Sequence, residues 1–333
     1  MKRAVQILVG CAVSASMLYL AFKDFNVSAL RESFDQAAWW PVLPFVAFFA
    51  VHYFFRSLRW RYLLPQPTKE SPSLRSLFDA ISLGNLATFL LPFRLGEFVR
   101  PLVLSRWTEY SFATCFISVV IERFFDLSAV LISFMILVQL LPNVPEWLHV
   151  AAYSLGAMAG GLLFFLVGGC LFPETISKLV TLCVRPLPAK LGRFVASFSG
   201  DLLKGAQVIK TLPRLAAIIF LTSLVWLTAY LQFNALLYMF PFDNSFLLSV
   251  ALGVFVALAI ALPSAPGFVG VFQIGCVAAC SLFSYPVSAA QVYSLIVHGL
   301  SYVLVVVIGF WLLAVHNLNL LELKKAAETG KES

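Results

Sequence analysis

Leu91-Pro92-Phe93-Arg94-Leu95-Gly96-Glu97 interrupts an apolar segment that runs over 74–106. Leu262-Pro263-Ser264-Ala265-Pro266-Gly267-Phe268-Val269-Gly270 interrupts a second, over 246–283. Proline removes a backbone donor and cannot continue a helix without a defect, and glycine makes the defect easy to turn. Each break reads Leu-Pro-x-x-x-Gly, with Pro92 and Gly96 matching Pro263 and Gly267 at a spacing of 171 residues, close to half the chain. Paired Pro/Gly-broken apolar segments in the two halves are the sequence mark of internally repeated transporters, whose sites form at such breaks.

The surrounding composition sets the solvent. Of 333 residues, 61% are hydrophobic and 12% charged, and the mean hydropathy is +0.91. Soluble domains carry about 25% charged residues, so half that amount excludes a water-exposed globule, a disordered chain and a disulfide scaffold. Further apolar runs lie at 4–22, 39–55, 111–141, 147–172, 212–240 and 288–315. A span needs about 20 residues, so these read as six transmembrane helices. The first is too long for the apolar core of a cleaved signal peptide and is read as retained.

Charge placement gives the topology. If both broken segments are re-entrant hairpins, the cytoplasmic set holds Lys2, Arg3, Arg56, Arg59, Arg61, Lys69, Arg106, Lys178, Arg185, Lys190, Arg193, Lys204, Lys210, Lys324, Lys325 and Lys331. The opposite set holds Lys23 and Arg31. That asymmetry follows the positive-inside rule and accounts for the net charge of +7 without nucleic acid. Both termini are then cytoplasmic, and the hairpins dip in from opposite faces as an inverted repeat would have them. The competing reading has eight full crossings, but residues 98–105 are too few for an ordinary span.

The expected architecture is an all-α polytopic membrane protein, one membrane domain over 1–320. Its first half, about 1–141, holds hairpin 74–106, and its second, about 212–316, holds hairpin 246–283. Between them, 174–210 carries Leu187, Leu191, Phe194, Phe198 and Leu202 at helical spacing among basic residues, which reads as an amphipathic interfacial helix joining the halves. A short polar tail, 321–333, follows. The six cysteines, Cys11, Cys115, Cys170, Cys183, Cys276 and Cys280, show no metal-ligand spacing or disulfide framework, and no cofactor is expected.

Asp79, Arg94, Glu97, Arg100, Glu122, Arg123 and Asp126 fall inside apolar segments. A charge at the bilayer centre costs about 2.5–3.5 kcal/mol even on insertion scales, so such residues pair or line a wet cavity. Glu97 opens the half-helix after the break, where the helix dipole favours an acid. Glu122 and Asp126 share one helix face, which is unfavourable unless a cation sits between them or one is protonated, and Arg94 or Arg100 is the natural partner. One reading is an ion-pair cluster that locks the hairpin. The other is a polar cavity whose arginines take a phosphate bidentately. His52 and His298 read as structural histidines or a proton relay, and Asn85 as a hydrogen-bonding group of the hairpin. Gln273 reads as a lipid contact or as a group satisfying freed backbone, and Trp39, Trp40, Trp147 and Trp311 as an interfacial belt.

The run from Asn85 through Pro92, Arg94, Gly96, Glu97, Arg100 and Pro101, then Glu122-Arg123 and Asp126, then Pro263, Pro266, Gly267, Gly270 and Gln273, resembles a flippase-like family. That family is related to the membrane region of lysylphosphatidylglycerol synthases. The resemblance covers about residues 1–320 and implies movement of a polar or anionic lipid, or a lipid-linked head group, between leaflets of the cytoplasmic membrane. It assigns Arg94, Glu97 and Arg100 to the first hairpin's site and Glu122, Arg123 and Asp126 to the facing helix. Pro92, Gly96, Pro101, Pro263, Pro266, Gly267 and Gly270 would shape the hairpins. Gln273 departs from a position often acidic in the family, and the chain stops without a soluble aminoacyl-transferase domain, so lipid aminoacylation is not expected from it alone. No GxxxxGK[ST] motif is present to bind ATP. The rival class is a membrane glycosyl- or acyl-transferase with Glu32 and Asp35 in an outer loop. A third reading is an accessory subunit of a lipid-modifying synthase.

Overall fold

The computed structural model describes residues 2–22, 32, 37–66, 71–142, 145–184, 200, 209, 211–240, 245–262 and 264–329. Pro263, Lys23, Arg31, Asp35, Lys69 and nearly all of the expected amphipathic stretch 187–202 lie outside those residues. Among the described residues every regular element is helical.

The chain runs α1 Lys2–Phe22, α2 Val42–Leu63, α3 Leu74–Leu90, α4 Gly96–Trp107, α5 Phe112–Leu140 and α6 Glu146–Leu171. It continues α7 Pro173–Val184, α8 Leu212–Leu237, α9 Phe246–Ile260, α10 Val271–Ser281, α11 Val287–Val315 and α12 Leu320–Thr329. Val42–Leu63, Glu146–Gly169, Leu212–Leu237 and Val287–Val315 are long and apolar enough to cross a membrane. Helix α5 is as long as α11, 29 residues each, and carries Glu122, Arg123 and Asp126 in its first half. Trp39, Trp40, Trp147 and Trp311 are all exposed, as lipid-facing aromatics must be.

Helix α2 extends eight residues past the apolar run 39–55, so Arg56, Arg59 and Arg61 ride its last turns where a loop was expected. No proline or glycine intervenes before Pro65, and nothing in the backbone stops the helix earlier.

Both breaks are short 3-10 turns between two helices, Pro92–Arg94 between α3 and α4 and Pro266–Phe268 between α9 and α10. Each begins with an extended residue, Leu91 or Ala265, followed by proline at the first helical position. Each holds its third residue in the left-handed region, Arg94 at φ 52° and Phe268 at φ 60°. The matching register is therefore Pro92 with Pro266 and Gly96 with Gly270, a spacing of 174 residues, not the 171 that a Pro263 match gives. Helices α5 and α11 start at Phe112 and Val287, 175 residues apart, in the same register to within one residue.

The chain folds back at both breaks. A Cβ on Gly84 would lie 2.7 Å from Arg100 Cβ and 3.1 Å from the Gly96 carbonyl, so α3 and α4 touch backbone to backbone. One on Gly275 would lie 2.9 Å from Val256 Cα, so α9 and α10 do the same. Gly96 admits no side chain at all, because a Cβ there would overlap the Gly84 carbonyl and the Thr88 hydroxyl. Gly267 and Gly270 sit at φ 74° and 87°, where an L side chain is strained.

The contacts divide the chain into two compact units. One comprises Met1–Phe54, Asp79–Arg100 and Val225–Ser333, and the other Phe55–Phe78 and Pro101–Leu224. Both breaks belong to the first unit and the Glu122–Asp126 face to the second.

Candidate functional site

In the first unit the two breaks meet each other. The Arg94 guanidinium carbon lies 5.3 Å from the centre of the Phe268 ring, within cation–π range. Phe89, one turn before the first break, stands edge-on to Phe268 at 5.7 Å and to Tyr302 of α11 at 5.5 Å. Arg94 and Phe268 are the matching left-handed residues of the two breaks, so equivalent positions of the two segments touch.

Around this meeting point Arg94 and Glu97 are half-buried and Arg100 is buried. Glu97 occupies the first turn of α4, where free N–H groups favour an acid. Asn85 Nδ2 donates to the Tyr53 hydroxyl at 2.7 Å, tying α3 to α2 within this unit. Asp79 near the start of α3 is buried, and its carboxylate lies 2.8 Å from His316 Nε2 at the end of α11. Pro101 begins the part of α4 that belongs to the second unit.

The second break is held by neutral groups. Gln273 Oε1 accepts the Gly270 N–H at 2.7 Å, and its amide nitrogen lies 2.9 Å from His298 Nδ1. His298 Nε2 lies 2.8 Å from the Gly267 carbonyl, and the ring stacks on Phe272 at 4.4 Å. Ser14 of α1 accepts the Ala265 N–H at 2.7 Å. His52 is likewise placed by α8, 3.0 Å from the Val225 carbonyl and 3.2 Å from the Thr228 hydroxyl.

The second unit holds a five-residue ionic cluster. Arg59, with no exposed side-chain surface, forks onto Asp126 through Nη1–Oδ1 at 2.6 Å and Nη2–Oδ2 at 3.2 Å. Its Nη2 also reaches the fully buried Glu122 at 3.1 Å, and its Nη1 donates to the Thr222 hydroxyl at 3.3 Å. Arg123 covers the other side of the acids at 2.7 and 3.3 Å, with 43% of its side chain exposed, and Arg56 approaches Glu122 at 3.8 Å. Three arginines thus surround two carboxylates, leaving these five side chains at +1.

The like-charged pair Glu122/Asp126 therefore receives cations from Arg59, Arg123 and Arg56. Sequence reasoning missed Arg59 because it was counted as a loop charge. The signal was present in the unbroken 53–64 stretch, whose Trp60, Leu63 and Leu64 are buried. Trp60 Nε1 in turn donates to Ser118 on α5 at 2.8 Å, and Tyr293 of α11 donates to the Phe233 carbonyl of α8 at 2.7 Å. Among the described residues no group of three or more His, Cys, Asp or Glu side chains is arranged to hold a metal. Cys115, Cys276 and Cys280 are buried thiols, none of them in a disulfide.

An all-helical integral membrane protein with broken helices and paired buried charge is the class these features define. Residues 7–309 match the family described as the lysylphosphatidylglycerol synthase TM region, and the chain belongs to that family. The match spans the motifs on which the resemblance rested. No curated protein and no solved structure matches the chain.

Proposed function

We propose that the protein moves a polar or anionic lipid, or a lipid-linked head group, between membrane leaflets as a flippase or scramblase. In this reading α1, α2, α5, α6, α8 and α11 cross the cytoplasmic membrane with both termini in the cytoplasm. Segments 74–106 and 246–283 are re-entrant hairpins entering from opposite faces as an inverted repeat. The single observation that carries the reading is the contact of Arg94 with Phe268 at matching positions of the two breaks. Two hairpins entering from opposite faces must meet near mid-membrane, and a polar path is cheapest where broken helices leave backbone groups to line it.

The head-group phosphate is received by Arg94 at the shared tip, with Arg100 behind it and Glu97 balancing the charge when the site is empty. Acyl or polyprenyl chains stay in the bilayer, so only the head group needs the path. Glu122, Arg123 and Asp126, organised by Arg59, are a second charged station within their own unit. Asn85 and Gln273 hold the hairpins in shape beside this path. A lipid-modifying enzyme acting in the same membrane would supply the substrate.

The test is leaflet exchange of head-group-labelled anionic lipid in proteoliposomes, for wild type, Arg94→Ala and Arg100→Ala. Losing one charge-assisted contact, about 1.5–3 kcal/mol, slows exchange about ten- to a hundredfold. No exchange by the wild type across anionic and polyprenyl-linked lipids overturns the transport reading. Exchange untouched by both variants removes the phosphate from the first break.

A further inference from the structure

The hydrogen bonds that hold the second break admit one arrangement of protons. The Gly267 carbonyl only accepts, so His298 Nε2 carries a hydrogen and donates to it. The Gly270 N–H only donates, so Gln273 presents its oxygen there and its amide N–H₂ to His298. Nδ1 of His298 must then accept, and the ring is neutral. A proton on Nδ1 would set two donors face to face across 2.9 Å. The network relaxes in one of two ways: Gln273 rotates and abandons the Gly270 N–H, or the ring withdraws from Gly267. Either way the break loses a tie.

The segment so held gathers three of the six positive-φ residues of the described backbone. Gly267, Phe268 and Gly270 all have φ between 60° and 87°, and Phe268 is the residue that carries the contact to Arg94. Side chains touching the ring are Gln273 and Phe272 of α10 and Phe89 of α3. The charged group of the same aromatic cluster is Arg94, at the Phe268 ring. The other titratable groups on the packed elements are Tyr302 and Tyr293 of α11, Cys276 and Cys280 of α10, and Arg75 and Asp79 of α3. The carboxylate among them, Asp79, stands ten residues before Phe89 and lies 2.8 Å from His316 Nε2.

We infer that His298 is a positioning residue that latches the second break in its neutral form, and that protonating it releases the tip from its ties. Because the latched state binds one proton fewer than the released state, the latch is strongest at high pH and is lost as pH falls through the histidine's titration. The consequence for lipid movement rests on the exchange reading above, whereas the latch itself is read without transport.

The direct test is backbone amide exchange over 264–270 in protein reconstituted in nanodiscs. It is expressed as protection relative to the free chain and followed from about pH 8 to about pH 5, the range in which histidine changes charge. Wild-type protection is expected to fall by up to about tenfold per pH unit, the slope of one linked proton. His298→Gln keeps a neutral donor and acceptor at similar spacing and flattens that response. Gln273→Glu accepts from both Gly270 and a protonated ring, so it keeps the tip protected at low pH. Wild-type protection that does not change with pH, or His298→Gln falling as steeply as wild type, overturns the latch. Protection that falls as expected while leaflet exchange stays absent at every pH supports the latch and counts against the transport reading alone.

Discussion

After the proline of the first break come Phe93, the left-handed Arg94 and Gly96, then Glu97 and Arg100 on the helix that follows. In the same register the second break has Gly267, the left-handed Phe268 and Gly270, then Val271 and Ile274. Proline, a left-handed third residue and a glycine two further on recur at both. The side chains around that frame are charged at one break and neutral at the other, where Gln273 and His298 supply the ties. Val99, which holds the register of Gln273, is a buried hydrophobe with no cap to offer, and Glu97 answers the helix dipole there instead. The two breaks thus share a proline–glycine backbone frame and differ in the side chains around it.

The buried charges give the scale against which that division is measured. Arg59→Ala leaves Glu122 and Asp126 enclosed without their inner cation, and should cost about 3–5 kcal/mol in unfolding of the purified protein in detergent. Adding Glu122→Gln and Asp126→Asn should recover most of the loss. If it does not, Arg59 acts through packing and the cluster is not the source of the cost.

Next come the backbone frames. Gly270→Ala sets a Cβ against the Ser14 carbonyl at a positive φ, and Gly96→Ala sets one against the Gly84 carbonyl. Each is expected to cost about 1–3 kcal/mol from overpacking, with about 1–2 kcal/mol more at Gly270 for its backbone conformation. A harmless substitution at either position would end the claim that the two breaks are built alike.

Gln273→Leu removes the acceptor of the Gly270 N–H and the donor to His298, and should cost about 1–3 kcal/mol. Arg94→Ala should cost the least, about 0.5–1 kcal/mol for its contact with Phe268, while slowing exchange strongly. Thermal unfolding read beside exchange separates the two cases. A large stability loss at Arg94 would make it a structural residue and erase the contrast between the breaks.

Much of the helical plan was legible because apolar run length, proline and glycine act locally. Six long helices sit where six apolar runs stand, and both breaks sit at their prolines. Register was less legible. Two prolines, Pro263 and Pro266, precede Gly267 and Gly270, so a Pro-x-x-x-Gly pattern fits at either spacing, and only the left-handed Phe268 settles which proline matches Pro92. The need of Glu122 and Asp126 for a cation was readable from their i,i+4 spacing. Its source was not, because Arg59 meets them through tertiary contact 63 and 67 residues away in sequence. The pairing of Gln273 with His298 has the same character: two polar residues 25 apart, each unremarkable alone.

The arrangement of the two broken segments is tested most directly from their ends, in protein whose native cysteines are replaced. Arg75→Cys and Arg106→Cys mark the two ends of the first, and Phe246→Cys and Ser284→Cys those of the second, all at exposed positions. Labelling oriented vesicles with a membrane-impermeant thiol reagent should reach both ends of the first segment from the cytoplasmic side only, and both ends of the second from the opposite side only. If the two ends of either segment label from different sides, that segment crosses the membrane, and opposed hairpins meeting at Arg94 and Phe268 are contradicted.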